Sequence, residues 1–64
     1  MSKRNPRIGT FSLATMALTR MVIVKDHDKF NNWGQRVFPD RAEAEAYAIW
    51  AHDFKEGRTF RDFA

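Results

Sequence analysis

Apolar positions recur at two different spacings along this chain, and the two spacings predict different elements. Over residues 39–57 (PDRAEAEAYAIWAHDFKEG) the spacing is helical. At 100° per residue Ala46, Tyr47, Trp50, Ala51 and Phe54 share one side, with Arg41, Glu45, His52 and Glu56 opposite. The boundary residues agree with that reading. Asp40 stands at the N-cap position and Glu43, three residues on, completes a capping box. Alanine and glutamate, strong helix formers, fill the first turns. Lys55 suits the negative end of the helix dipole, and Gly57 is placed to be the left-handed residue that stops the helix. An apolar face of aromatics and alanines suits close packing on a sheet.

The second spacing is that of strands. Residues 21–25 (MVIVK) carry three consecutive β-branched side chains and are apolar on both faces, the pattern of a strand central in a sheet. A polar connection (DHDKFNN, 26–32) leads to a second strand over 33–38, and the short separation predicts an antiparallel hairpin. Gly34 marks a bulge or a close backbone approach, and Pro39 ends the strand. Beyond Gly57, RTFRDFA reads as a short third strand pairing beside the first. Residues 8–20 (IGTFSLATMALTR) fit two patterns. As a helix capped by Thr10 they place Phe11, Ala14, Leu18 and Met21 on one side, but Ser12, Thr15 and Thr19 favour an extended segment. The expected fold is α+β: a small antiparallel sheet of three strands, with a fourth if the N-terminal segment joins, packed on one helix in ββαβ order.

Length and charge refine this picture. Sixty-four residues allow one domain, assigned to 8–64, after a basic tail over 1–7 expected to be disordered in isolation. The formal charge is +3, and the tail holds Lys3, Arg4 and Arg7 with no acid. The remaining residues balance at eight basic and eight acidic, so the excess belongs to the tail. Lys3, Arg4 and Arg7 are therefore the candidate arm for phosphate or an acidic protein surface. The absence of cysteine excludes disulfides and thiolate metal sites and makes the cytoplasm the expected compartment. No apolar run of about 18 residues predicts a membrane span, and Thr10, Ser12, Thr15, Thr19 and Arg20 interrupt any signal-peptide core.

Catalytic chemistry finds no foothold. Asp26-His27-Asp28 invites a metal, but adjacent side chains in extended backbone point to opposite sides, so a solvated loop is expected. His52 and Glu56 have ligand spacing without a third ligand, which reads as a surface pair. The glycines are isolated and no hydroxyl lies in a nucleophile motif, so no enzyme, metal or cofactor is expected. Binding remains. Arg20, Lys25 and Arg36 lie in or beside strands, and Arg58 and Arg61 flank Phe60. Arginines interleaved with aromatics on a sheet could stack bases or serve as interface hot spots. Phe30 and Trp33 are the aromatics expected at the surface, and exposure of both Trp33 and Ile49 would point to a protein interface.

Two resemblances carry functional expectations. A hairpin, a capped Ala/Glu helix bearing a Trp, and a terminal Arg-containing strand (VFPDRAEAEAYAIWAHDF, then GRTFRDFA) resemble the small podophage inhibitors of bacterial RNA polymerase. That resemblance implies a phage-encoded host-takeover protein that docks on a host protein and blocks or redirects it by steric occlusion. Read from the residues and not from the resemblance, the candidate contacts on the hairpin and sheet face are Trp33, Arg36, Arg58 and Arg61. The junction V-F-P-D-R-A-E-A-E-A-Y-A at 37–48 is similar to that of AP2-type DNA-binding domains, in which a three-stranded sheet precedes the helix. This second resemblance needs residues 10–18 to be the first strand. It implies a nucleic-acid module using Arg20, Lys25, Trp33 and Arg36 with the basic N-terminal arm. Host-protein docking is the first expectation, nucleic acid the second, and self-association is left open as a third.

Overall fold

The computed structural model describes residues 7–63, so Lys3 and Arg4 lie outside the described residues. Four strands, β1 (Arg7–Ile8), β2 (Phe11–Thr15), β3 (Val22–Asp26) and β4 (Gln35–Phe38), precede one helix, α1 (Arg41–Lys55). The strands form an antiparallel meander in the order β1-β2-β3-β4, and α1 covers one face. The expected α+β class, with a hairpin running into a capped helix, is what forms. The last strand of the expected order is a correction: residues 58–63 carry no strand, and the other half of the sheet comes from the N-terminal segment. Arg7, assigned by sequence to the tail, opens β1.

Local chemistry explains these elements. Asp40 is extended and its carboxylate accepts the Glu43 amide at 2.8 Å, the Asp40 half of the expected capping box. At the other end Gly57 is left-handed (φ 77°). The Gly57 amide donates to the Phe54 carbonyl and the Arg58 amide to the Asp53 carbonyl, a Schellman stop. Gly9 (φ 60°) makes the two-residue turn between β1 and β2, and a Cβ there would collide with the His52 imidazole. His52 thus packs against a turn instead of standing on a polar face. Gly34 (φ 80°) has open space where its Cβ would be, so only its backbone conformation calls for glycine.

The core lies between sheet and helix. Phe11 and Leu13 from β2, Val22 and Val24 from β3, and Phe38 from β4 meet Ala44, Tyr47, Ala48 and Ala51. The buried helix stripe is rotated from the expected one: Ala44 and Ala48 join it, Ala46 leaves it, and Trp50 and Phe54 move to its flank. Three alanines and Tyr47 face the sheet, and the alanines let the helix approach closely. The rings of Trp50 and Phe54 instead pack sideways on Trp33, Phe60 and Phe63.

Candidate functional site

Strand register decides which side chains share each sheet face. Buried Phe11, Leu13, Val22, Val24 and Phe38 point toward α1, so their alternating neighbours form the uncovered face. One cross-strand row on that face is Arg7–Ser12–Lys25–Gln35 and the next is Ala14–Ile23–Val37. His27 lies beside the first row, its Nε2 2.7 Å from Ser12 Oγ. No acid stands at an outward strand position. The eight described carboxylates, Asp26, Asp28, Asp40, Glu43, Glu45, Asp53, Glu56 and Asp62, lie in α1, in loops, or inward on β3. Of the nine described Lys and Arg residues, Arg7 and Lys25 stand at outward strand positions, where no carboxylate stands.

The helix side holds the rings. Phe11, Trp33, Phe38, Tyr47, Trp50, Phe54, Phe60 and Phe63 form one continuous chain of aromatic contacts, leaving only Phe30 apart, exposed in the β3–β4 loop. The expected arrangement of aromatics among arginines on the open sheet is thus corrected, because Trp33 turns under the helix. Trp33 is half-buried against Phe11, Trp50 and Phe54, not exposed. Arg36 shares the inward face at the β4 edge, and its guanidinium lies 5.0 Å from the Tyr47 ring centre. The Arg61 carbonyl accepts the Trp50 indole N–H at 2.8 Å. Arg58 pairs with Asp53 at 3.1 Å on the surface. Trp33, Arg36 and Arg61 thus border one aromatic cluster, with Arg58 at the helix end next to it. Ile49 is 51 % exposed, so of the two residues that were to mark an interface, one is at the surface.

A buried charge cluster fixes the end of the sheet, and it corrects the solvated-loop expectation for Asp26. Asp26 is only 1 % exposed, since the strand period that buries Val22 and Val24 buries it too. Its carboxylate accepts Thr10 Oγ1 (2.7 Å), Lys55 Nζ (2.5 Å), and the amides of Asp28 (3.0 Å) and Trp33 (2.8 Å). Burial pushes the Asp26 pKa up, but these bonds, Lys55 first, outweigh it and hold the pKa at about 2. Lys55 also reaches Asp28 at 3.3 Å and lies 4.8 Å from the Phe11 ring centre. Asp28 is held below its usual value by the amides of Asn31 and Phe30, against a smaller opposing effect of burial, with Lys55 adding to the lowering. The cluster is closed: each carboxylate has its donors and the ammonium fills the space between them. It organises the β3–β4 loop. Sequence reasoning missed this pair. Its signal was a polar residue at an inward position on each of two apolar stripes, Asp26 after Val24 and Lys55 after Ala51.

Among the described residues no group of three His, Asp or Glu side chains is placed to hold a metal ion, and no helix is long and apolar enough to cross a membrane. No protein-family model matches the chain, and no curated protein or solved structure matches it.

Proposed function

We propose that this chain is a non-enzymatic binding module whose open sheet face lies against nucleic acid. The observation that carries the reading is the segregation of charge. Arg7 and Lys25 stand on an uncovered sheet whose outward strand positions hold no carboxylate, with Arg20 in the adjoining turn. A duplex is attracted to a face free of acids, and phosphate contacts supply most of the affinity in such complexes. The element order adds support. β2, β3 and β4 form three antiparallel strands running into α1, the arrangement that the resemblance to AP2-type domains requires. With every strand ring turned inward, base stacking on the sheet has no platform, so the reading is of backbone and groove contacts to duplex and not of single-strand stacking. Lys3 and Arg4 would extend the footprint as a basic arm.

The test is fluorescence anisotropy with a labelled duplex of about 20 base pairs at several salt concentrations. Binding that weakens with a log–log salt slope of about −2 to −4 corresponds to two to four phosphates neutralised. Replacing Lys25 by Glu should lower affinity and flatten the slope by about 1. Absence of binding at low salt, or binding indifferent to Lys25, refutes the proposal.

A second reading, docking on a host protein with steric occlusion of it, is favoured by a different observation. Ile49 (51 % exposed) and Phe60 (81 % exposed) stand beside Trp50 and Arg61, residue types that concentrate in interface hot spots. The likeness to podophage inhibitors gives it little support, because that likeness needs a strand in residues 58–64, and the described part of that segment carries none. Capture of a host protein by the tagged chain, lost in Ile49→Glu and kept in Lys25→Glu, is the result that would favour this reading.

A further inference from the structure

Phe30 stands 97 % exposed in the β3–β4 loop, while every other aromatic ring of the chain joins the cluster beside the helix. On a loose loop such a ring would call for no explanation. This loop is tied down by its own side chains. The amides of Asp28 and Trp33 donate to the Asp26 carboxylate at 3.0 and 2.8 Å. Those of Phe30 and Asn31 donate to Asp28 Oδ1 at 2.8 and 3.0 Å, and that of Gly34 to Asn32 Oδ1 at 2.6 Å. The Asn32 side-chain amide reaches the carbonyls of Asp26 and Asp28, and Lys55 fastens both carboxylates to the helix. The ring is thus held out in water by a backbone whose conformation is already fixed, so a partner meets it with little left to order.

The charges around the ring favour nucleic acid as that partner. The polar row Arg7–Ser12–Lys25–Gln35 crosses the sheet at this same end, and His27 continues it toward the loop. Lys29, exposed, immediately precedes Phe30. Arg7, Lys25 and Lys29 have no carboxylate within ion-pair distance among the described residues. The acids of this end are accounted for: Asp26 and Asp28 both face Lys55, while Glu56 and the Arg58–Asp53 pair stand at the end of α1. Leu18, also fully exposed, lies in the β2–β3 turn at the opposite end, so the two apolar side chains form no common patch for a protein. A lone ring among uncompensated cations matches a polymer with apolar base faces between its phosphates.

We infer that Phe30 is a wedge. Resting on the reading that the open face lies against duplex, the β3–β4 loop inserts this ring between two base pairs and kinks the helix there, with Lys29, Lys25 and Arg7 on the flanking phosphates. Pyrimidine–purine steps unstack most readily, so a preference for them arises without any hydrogen bond to a base.

A duplex of about 20 base pairs carrying 2-aminopurine at its TA steps tests this, because that adenine analogue brightens when it is unstacked. Emission should rise as the full chain saturates the duplex. Phe30→Ala should abolish the rise and weaken binding about tenfold, the scale of one lost stacking contact. Its salt slope and circular dichroism spectrum should stay those of the wild type, since the ring carries no charge and belongs to no core. Lys25→Glu should bind more weakly with a flatter slope yet give the full rise at saturation, and Leu18→Ala should match the wild type. Saturable binding without a rise, a rise that survives Phe30→Ala, or wild-type affinity in that variant overturns the wedge and leaves the open-face reading standing. Absence of duplex binding at low salt overturns both and assigns Phe30 to a protein partner instead.

Discussion

Replacing Asp26 by Asn perturbs the one place where this small fold buries charge. The carboxylate accepts four donors, and an amide of the same shape keeps one acceptor oxygen and presents an NH2 group toward two of them. The Trp33 amide then loses its partner, and the Lys55 ammonium, its side chain 9 % exposed, loses the nearer of its two counter-charges. Removing one member of a buried pair typically costs about 3–5 kcal/mol. A 64-residue domain has roughly 3–10 kcal/mol of stability in all. Asp26→Asn should therefore leave the chain largely unfolded or with most of its urea resistance gone. Lys55→Met alone should also destabilise, because Asp26 keeps its other three donors but no counter-charge. The double variant should be less harmful than the sum of the two by about 2 kcal/mol or more, as expected for residues in direct contact. Urea unfolding followed by circular dichroism measures all four corners of the cycle. A loss below about 1 kcal/mol for Asp26→Asn, or strict additivity, would show that the pair is solvated in solution and that something else anchors the β3–β4 loop.

The same cluster sets an acid limit. Because the Asp26 pKa is depressed from 3.8 to about 2, its contribution of about 2 kcal/mol is complete above pH 4 and disappears as pH falls toward 2. Asp28, also held low, adds a loss of the same sign, so stability should fall as pH drops below 4, and whatever fold Asp26→Asn retains should depend less on pH there because the titrating group is gone. Gly9→Ala should cost about 2 kcal/mol or more, from a left-handed backbone together with the clash on His52. Gly34→Ala carries only the backbone cost, about 1 kcal/mol, and equal melting shifts for the two would contradict the close approach at Gly9. Trp50→Phe keeps most ring contacts but loses the bond to the Arg61 carbonyl, so amide exchange in residues 58–63 should quicken while α1 stays protected.

What the chain discloses about its own structure follows from how local each signal is. The bounds of the helix were readable because its cap, its stop and its alanine-rich turns are decided within a few residues, whereas its buried stripe was not, since Ala44 and Ala48 and not Trp50 and Phe54 face the sheet. β3 was readable from its β-branched run, although its last inward residue, Asp26, was taken for loop because aspartate is rare in strands and rarer in cores. β2 was obscured by Ala14 and by the methionine after it. Apolar residues on the open face blur the alternation that marks a half-buried strand, and only the left-handed Gly9 turn joins the segment to β1. Residues 58–63 misled in the opposite way. Phe60 and Phe63 look like strand residues, yet their rings complete an aromatic cluster on the helix flank, which needs no ladder bonds. The direction of Trp33 and the segregation of charge depend on register, which no short window of sequence contains. Candidate residues were therefore nameable, but the face each occupies was not.

Chemical-shift mapping on the ¹⁵N-labelled chain, titrated with a 20-base-pair duplex at low salt, addresses the central claim most directly. The account predicts that the amides moved are those of the outward positions Ser12, Ala14, Ile23, Lys25 and Gln35, while Ala46, Ile49 and Trp50 stay still. Movement confined to the helix and to residues 58–63, or no movement at saturating duplex, would contradict it.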